Sequence, residues 1–410
     1  MYQGRIANSK LAGSGLNSWE WARSRMGLIS RILYEFGTSK PLNQAKLGLC
    51  LHITKETSVL VLAALRLGAR IAICSANPLS VQDDIAAFLS SKGVRVFAWR
   101  DETMKQYKDC IKQVLNTRPE ILVDDGSAMH VIAHSSGVEG IIGGTEETTS
   151  GIMRLKTLES KGKLMYPVIG VNDALTKHLF DNKYGTGQST MDGIIRITNL
   201  LMAGKNIVVC GYGSVGKGVS ARARGLGAIV TVTETNSTRA LEAHMDGFMV
   251  KRLIDAVSEG DIFITCTGQI HVIRKEHFSR IKSGSILANA GHFDAEIDTK
   301  YLISNCDRRY LVRRYLECFR IKGKKVYLLS SGRVVNLVGS EGNAPEVMSM
   351  SFANQLLSII YICRNHRNME RKVLDVPFEI DEYVASTSLK SLGIKIDKLT
   401  DVQMKYSDSY

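Results

Sequence analysis

Three glycines between two apolar runs constrain this chain more than any other feature. Residues 206–218 read NIVVCGYGSVGKG, and residues 229–234 read IVTVTE. The pattern predicts strand, tight turn, helix, strand, acid. Gly211 permits the turn, Gly213 lets a pyrophosphate approach the backbone, and Gly216 lets the helix pack on the sheet. The free N–H groups of the helix N-terminus then face the phosphates. Glu234 follows Gly211 by 23 residues, close to the roughly 20 expected of the group that holds the adenosine ribose 2′-hydroxyl. A carboxylate there repels a 2′-phosphate, so the expected cofactor is NAD, not NADP.

Some two hundred residues precede this turn and must supply what the nicotinamide acts on. A length of 410 residues suggests two or three domains. A chain 44% hydrophobic and 23% charged has the balance of a packed globular enzyme. The net charge of +13 is scattered apart from a basic cluster at Arg308–Lys325. It reads as a solvated surface that helps draw in anionic ligands, with no nucleic-acid partner expected. The eight cysteines form no CxxC pair, which suits reduced thiols in a cytoplasmic protein and predicts no metal site. No apolar leader and no apolar run long enough to span a membrane is expected.

Alternating strand and helix signals run through the first half: LGLCLHIT, ARIAICSAN, VRVFAW, ILVDDG and YPVIGVND, with helical stretches between them. That order argues for a parallel sheet covered by helices. His52, Asn77, Asp124–Asp125, Glu146–Glu147 and Asn172–Asp173 all follow apolar runs, at the strand ends where ligands collect in open α/β sheets. A second α/β set runs from Asn206 to about Asn336, and the chain from Ala344 on is helical. The expected fold is therefore α/β, with two Rossmann-like doubly wound domains and a C-terminal helical tail. The expected partition is residues 1–182, completed by 344–388, for substrate; 183–343 for NAD; and an amphipathic tail, 389–410, for subunit contacts.

Eight stretches, in order, resemble S-adenosyl-L-homocysteine hydrolases from near residue 17 to the C-terminus. They are HITKETSVL (52–60), NPLSVQDD (77–84), ILVDDG (121–126), EETTSG (146–151), VNDALTKHLFDNKYG (171–185), GYGSVGKG (211–218), NAGHFDAEID (289–298) and GRVVNL (332–337). YGTGQS after the central motif is similar to the short archaeal and thermophilic-bacterial form. The resemblance implies a cytoplasmic homotetramer that reversibly converts S-adenosyl-L-homocysteine to adenosine and homocysteine. It does so through transient 3′-oxidation by NAD, elimination at C5′ and addition of water.

By that resemblance Lys177 and Asp181 assist 3′-hydroxyl deprotonation, Asp125 is the base at C4′, and Glu147 binds ribose hydroxyls. His52 and His292 handle the protons of water and the leaving thiol. A lysine beside a carboxylate and a cationic nicotinamide is tuned toward basic function. Thr54, Glu56 and Asn343 are expected at the purine. Thr148, Thr149, Ser150 and Asn182 would reach NAD from the first domain. Gly211, Gly213, Ser214, Val215, Gly216, Lys217, Gly218, Glu234, Ala290, Gly291, His292 and Asn336 would reach it from the second.

The chain also departs from the family pattern. Gly342–Asn343–Ala344 stands where GHP is common, Ala128 replaces an acid, and Thr186 stands at a cysteine position. KYSDSY lacks the C-terminal Lys and Tyr that in longer members reach a neighbouring subunit's cofactor. Glu56 can accept from an adenine amino group; it can equally accept N1–H of hypoxanthine while the Asn343 amide donates to O6, which makes an S-inosyl-L-homocysteine hydrolase the alternative. A hydroxy-acid dehydrogenase is a further alternative, distinguished by net accumulation of reduced nicotinamide. A non-catalytic relative is disfavoured by retention of His52, Asp125, Glu147, Lys177, Asp181 and His292.

Overall fold

A computed structural model describes residues 4–292, 294–407 and 409. Phe293 of the NAGHFDAEID stretch, the first three residues, Asp408 and Tyr410 lie outside the described residues. Two sheets organise the chain. In the first, the strands run in the spatial order Val373–Asp375, Val168–Gly170, Gly143–Glu146, Ile121–Asp124, Lys46–Leu51, Arg70–Ser75 and Arg95–Phe97, and every neighbouring pair is parallel. Their residues are buried almost throughout, as expected when helices cover both faces of a parallel sheet. The order turns back beside Lys46–Leu51, which opens a crevice beyond the carboxyl ends of that strand and of Ile121–Asp124.

The second sheet is centred on Asn206–Cys210. Ile229–Thr233 lies on one side, Ile262–Thr265 and Ser285–Asn289 on the other, all parallel. Beyond Ser285–Asn289 come Lys324–Leu329, parallel to it, and then Leu316–Ile321 and the edge strand Arg308–Arg313, each antiparallel to its neighbour. The turn behaves as its glycines predict. Gly211 has φ +104°, and a Cβ there would meet the Cys266 carbonyl; a Cβ on Gly216 would stand 2.0 Å from the Gly211 carbonyl oxygen. The helix Ser214–Gly225 therefore packs tightly against its strand.

After the second sheet the chain returns to the first. Helix Pro345–Asn365 begins with proline in its first turn, where the missing N–H costs nothing. It drives Phe352, Leu356, Ile359 and Ile360 into the core formed by Leu47, Leu49, Ile121 and Val123. Helix Phe378–Ser391 packs beside it. Contrary to the expectation that no such run exists, the segment Pro345–Asn368 is long and apolar enough to cross a bilayer. However, 67% of its most apolar window is buried inside the protein, so it is a core helix. The final helix, Asp401–Ser407, lies wholly exposed. All eight cysteines are free thiols.

Candidate functional site

Between the carboxyl ends of the two sheets lies a cleft of about 1230 Å³ lined by residues from both. It gathers His52, Thr54, Glu56, Asp125, Glu147, Lys177, Asp181, His292 and Asn343. It also gathers Thr148, Thr149, Ser150, Asn182, Gly211, Gly213, Ser214, Val215, Glu234, Ala290, Gly291 and Asn336. Gly216, Lys217 and Gly218 do not line it. Gly216 faces its own strand, and Gly218 lies against the Lys183 carbonyl. The Lys217 ammonium pairs with Glu242 at 2.5 Å. At these three positions the structure shows helix packing and a surface ion pair, because the helix turns them away from the cleft after its first residues.

Asp125 sits between two imidazoles. Its Oδ2 is 3.5 Å from His52 Nε2 and its Oδ1 is 3.6 Å from His292 Nδ1. His52 is set by its neighbours: Nδ1 meets Ser80 Oγ at 2.6 Å, and Thr57 Oγ1 donates to its carbonyl at 2.6 Å. Thr54 caps the following helix, Lys55–Arg66. Burial pulls both histidines below their usual range, His292 to about 4, and Asp125 only partly offsets this. Both rings are therefore neutral at physiological pH.

Lys177 Nζ lies 3.2 Å from Asp181 Oδ2 and donates to Asn182 Oδ1 at 2.7 Å. Burial alone would lower this lysine, but the carboxylates of Asp181, Glu147 and Asp125 outweigh it and hold the ammonium above its usual range. The expected shift toward basic function therefore requires a positive charge brought into the cleft. Glu147 is buried, its Oε1 accepts no hydrogen bond, and burial raises it to about 8 despite Lys177. It holds a proton at neutral pH.

Sequence reasoning missed the groups that hold these residues in place. Glu146, fully buried, accepts from the backbone N–H groups of Gly126, Ser127 and Thr148 and from the Ser127 and Thr148 hydroxyls. It ties the loop carrying Asp125 to the loop carrying Glu147. Asp381, two hundred residues further on, accepts from the N–H groups of Leu175 and Thr176 and so anchors the turn that bears Lys177. Ser351 donates to Asp181 at 2.9 Å. Only the EE pair of the strand end hinted at Glu146; nothing local marks the other two.

Asn343, expected at the purine, lines the cleft together with Thr54 and Glu56, and its amide is bonded within the site. Its Nδ2 donates to Asp181 Oδ1 and to Thr186 Oγ1, and its Oδ1 accepts from Ser189 at 2.7 Å. The threonine at position 186 supplies one of the two acceptors for the amide. Glu56 is buried, burial raises it against the pull of Lys55, and its Oε1 accepts no hydrogen bond.

The residues present fit a dinucleotide. Space above Gly213 is open, with only Arg239 within 4 Å of a built Cβ. Glu234 is raised by burial, but N–H donors from Asn236, Tyr212 and Thr235 outweigh this and keep it ionised. Asn336 Oδ1 is buried with no partner among the described residues. Asn172 links Asn182 to Thr149, so the first half presents its cofactor-side residues as one bonded unit. Ligand atoms of His52, Asp125 and His292 lie within 4.8 Å of one another, as do those of Asp124, His130 and Glu146. In the second group the carboxylates and imidazole are already spent on Asp125 N–H, His130 N–H, Tyr166 and the Thr145 carbonyl, besides the five donors to Glu146.

Residues 3–139 match the family model for S-adenosyl-L-homocysteine hydrolase, and residues 182–342 match that for the S-adenosyl-L-homocysteine hydrolase NAD-binding domain. An adenosylhomocysteinase from Sulfurisphaera tokodaii is 50% identical over 98% of this chain and 97% of its own. An S-inosyl-L-homocysteine hydrolase from Methanocaldococcus jannaschii is 48% identical over 100% of this chain and 99% of its own. With one similarity running the length of both halves and a cleft built from both, the chain belongs to the S-adenosyl-L-homocysteine hydrolase family, enzymes that carry NAD.

Proposed function

We propose that the protein reversibly hydrolyses S-adenosyl-L-homocysteine to adenosine and L-homocysteine. In this reading residues 1–182, with 344–388, hold substrate, and 183–343 hold NAD. The observation that carries it is Asp125 flanked by His52 and His292 within 3.6 Å, one imidazole from each half of the molecule. Bound NAD supplies the hydride acceptor at the ribose C3′. Lys177 would take the 3′-hydroxyl proton, and a cationic nicotinamide held in the cleft would offset the Asp181 and Asp125 carboxylates that keep it charged. Asp181 and the protonated Glu147 bind ribose hydroxyls, one accepting and one donating. Asp125 takes the C4′ proton, since a carboxylate between neutral imidazoles is a ready acceptor. His52 and His292 pass protons to the leaving thiol and from the entering water.

Adenine is the favoured purine. The Asn343 amide hydrogens are committed to Asp181 and Thr186, which leaves Glu56 as the polar group for the purine edge. Supplying homocysteine with adenosine or with inosine and measuring thioether synthesis tests both parts of the reading. Synthesis from adenosine supports it; synthesis from inosine alone reassigns the purine; synthesis from neither ends it.

A cytoplasmic homotetramer is part of the same proposal. Free thiols support a reducing compartment. The tail supports assembly: Leu392, Ile396, Leu399 and Val402 are more than half exposed and have the character of an interface. Sedimentation of the full chain as a monomer would refute it.

A further inference from the structure

The stretch from Arg308 to Lys325 holds eight Lys or Arg residues against one acid, Glu317, and so carries more than half of the net charge of +13. As sequence it reads as solvated surface; strand pairing gives it a shape. Arg308 stands opposite Arg320, and Arg320 opposite Lys325. Three cations thus form a row across three adjacent strands, about 5 Å apart per strand. Like charges directly opposed across a sheet destabilise it. Guarding an edge against aggregation accounts for cations on the outermost strand, Arg308–Arg313, which is exposed along its length. It does not account for Arg320 or Lys325 on the two strands inside it. Glu317 is already bonded to Arg309 and Ser331. Among the described residues, none of the three cations of the row has an ion-pair partner.

Two residues along each strand, on the same face, Tyr310 stands beside Cys318 and Cys318 beside Tyr327. Tyr310 is 38% exposed, with the Arg308 guanidinium 5.2 Å from its ring centroid, and Tyr327 is half-buried. A row of exposed cations one step from the exposed ring of Tyr310, at the edge of the sheet where Cys318 and Tyr327 turn inward to the core, matches the chemistry of a single strand. Phosphates meet Arg and Lys while an unstacked base meets the Tyr310 ring. A duplex would leave the ring unused, and a second copy of the chain would set cation against cation.

We propose that the sheet edge bearing Arg308, Arg320, Lys325 and Tyr310 binds single-stranded nucleic acid. No residue from 308 to 325 lines the cleft, so the proposal is independent of the chemistry there.

The test titrates the full-length, NAD-loaded protein into a fluorescein-labelled oligouridylate of about 12 nucleotides and follows anisotropy. Three phosphate contacts predict a log–log salt slope of about −2, or roughly tenfold weaker binding for a threefold rise in salt. The variant Arg308→Gln/Arg320→Gln/Lys325→Gln is expected to bind at least about tenfold more weakly with a flattened slope. Its Tm should be unchanged or higher and its hydrolase activity unaltered. Tyr310→Ala is expected to lose roughly fivefold or more while keeping the slope, as loss of base stacking requires. The proposal is overturned by absence of wild-type binding at low salt or by equal binding of the triple variant. Equal affinity for a blunt duplex that is indifferent to Tyr310→Ala, or charge-dependent binding to anionic phosphatidylserine vesicles without binding to the oligonucleotide, overturns it equally.

Discussion

His292 Nδ1 lies 3.6 Å from Asp125 Oδ1, although one residue follows a strand of the second sheet and the other a strand of the first. The closeness depends on the residue after Asp125. Gly126 has φ +103°, and a Cβ there would stand 2.2 Å from His292 Nε2. No side chain fits between the two loops.

Gly126→Ala should therefore push His292 away from Asp125 while leaving the sheets intact. A displacement of about 1 Å in an acid–base pair costs on the order of 100-fold in rate. The left-handed backbone adds about 1–2 kcal/mol of destabilisation. Steady-state kinetics and thermal melts on the same sample check this; unchanged kcat would show that the pair is not used.

Lys177→Ala should remain folded, because Asp181 keeps its donors from Ser351 and Asn343 and Glu147 is already neutral. Activity should fall by roughly 10³-fold, the scale of a lost proton-transfer group. A folded variant with full turnover would remove Lys177 from the mechanism.

Stability should fall between about pH 7 and pH 8 because of Glu147. Folded, it titrates at about 8; unfolded, it ionises near 4.5. The folded state binds more protons throughout that window, so it weakens as pH rises. Asp124 and Glu102, both raised to about 7, act in the same direction at lower pH. His292 acts oppositely: its neutral folded form loses stability as pH drops from 6.5 toward 4. Glu147→Gln should remove about 1 kcal/mol of the wild-type loss between pH 7 and 8. Parallel melting curves for the two proteins across that interval would contradict the assignment.

Leu356→Ala should destabilise the protein by about 2–5 kcal/mol, since Leu356 is fully buried in the core of the first sheet. Urea unfolding with an unchanged slope checks it. A loss below about 1 kcal/mol would mean that the returning helix adds little to that core.

Much of this was legible in the letters. The spacing of Gly211, Gly213, Gly216 and Glu234 foretold a turn, a helix and an acid at the end of the next strand. The apolar runs ending at His52, Asp125, Glu147 and Asn172 foretold strands that open toward one cleft. Local pattern succeeds there because backbone conformation answers to near neighbours: a positive φ, a β-branched run, a capping hydroxyl.

Partnership over long separations was not legible. Asp381 holds the turn that carries Lys177, Asn343 bonds Asp181, and Lys217 turns outward to Glu242. The charge row Arg308–Arg320–Lys325 exists only in the strand register. Composition and motif spacing marked out the backbone, the cofactor turn and the cast of ionisable groups. Which of those groups meet, and in what charge state, came from packing, because burial and electrostatic neighbours depend on chain segments that no local pattern brings together.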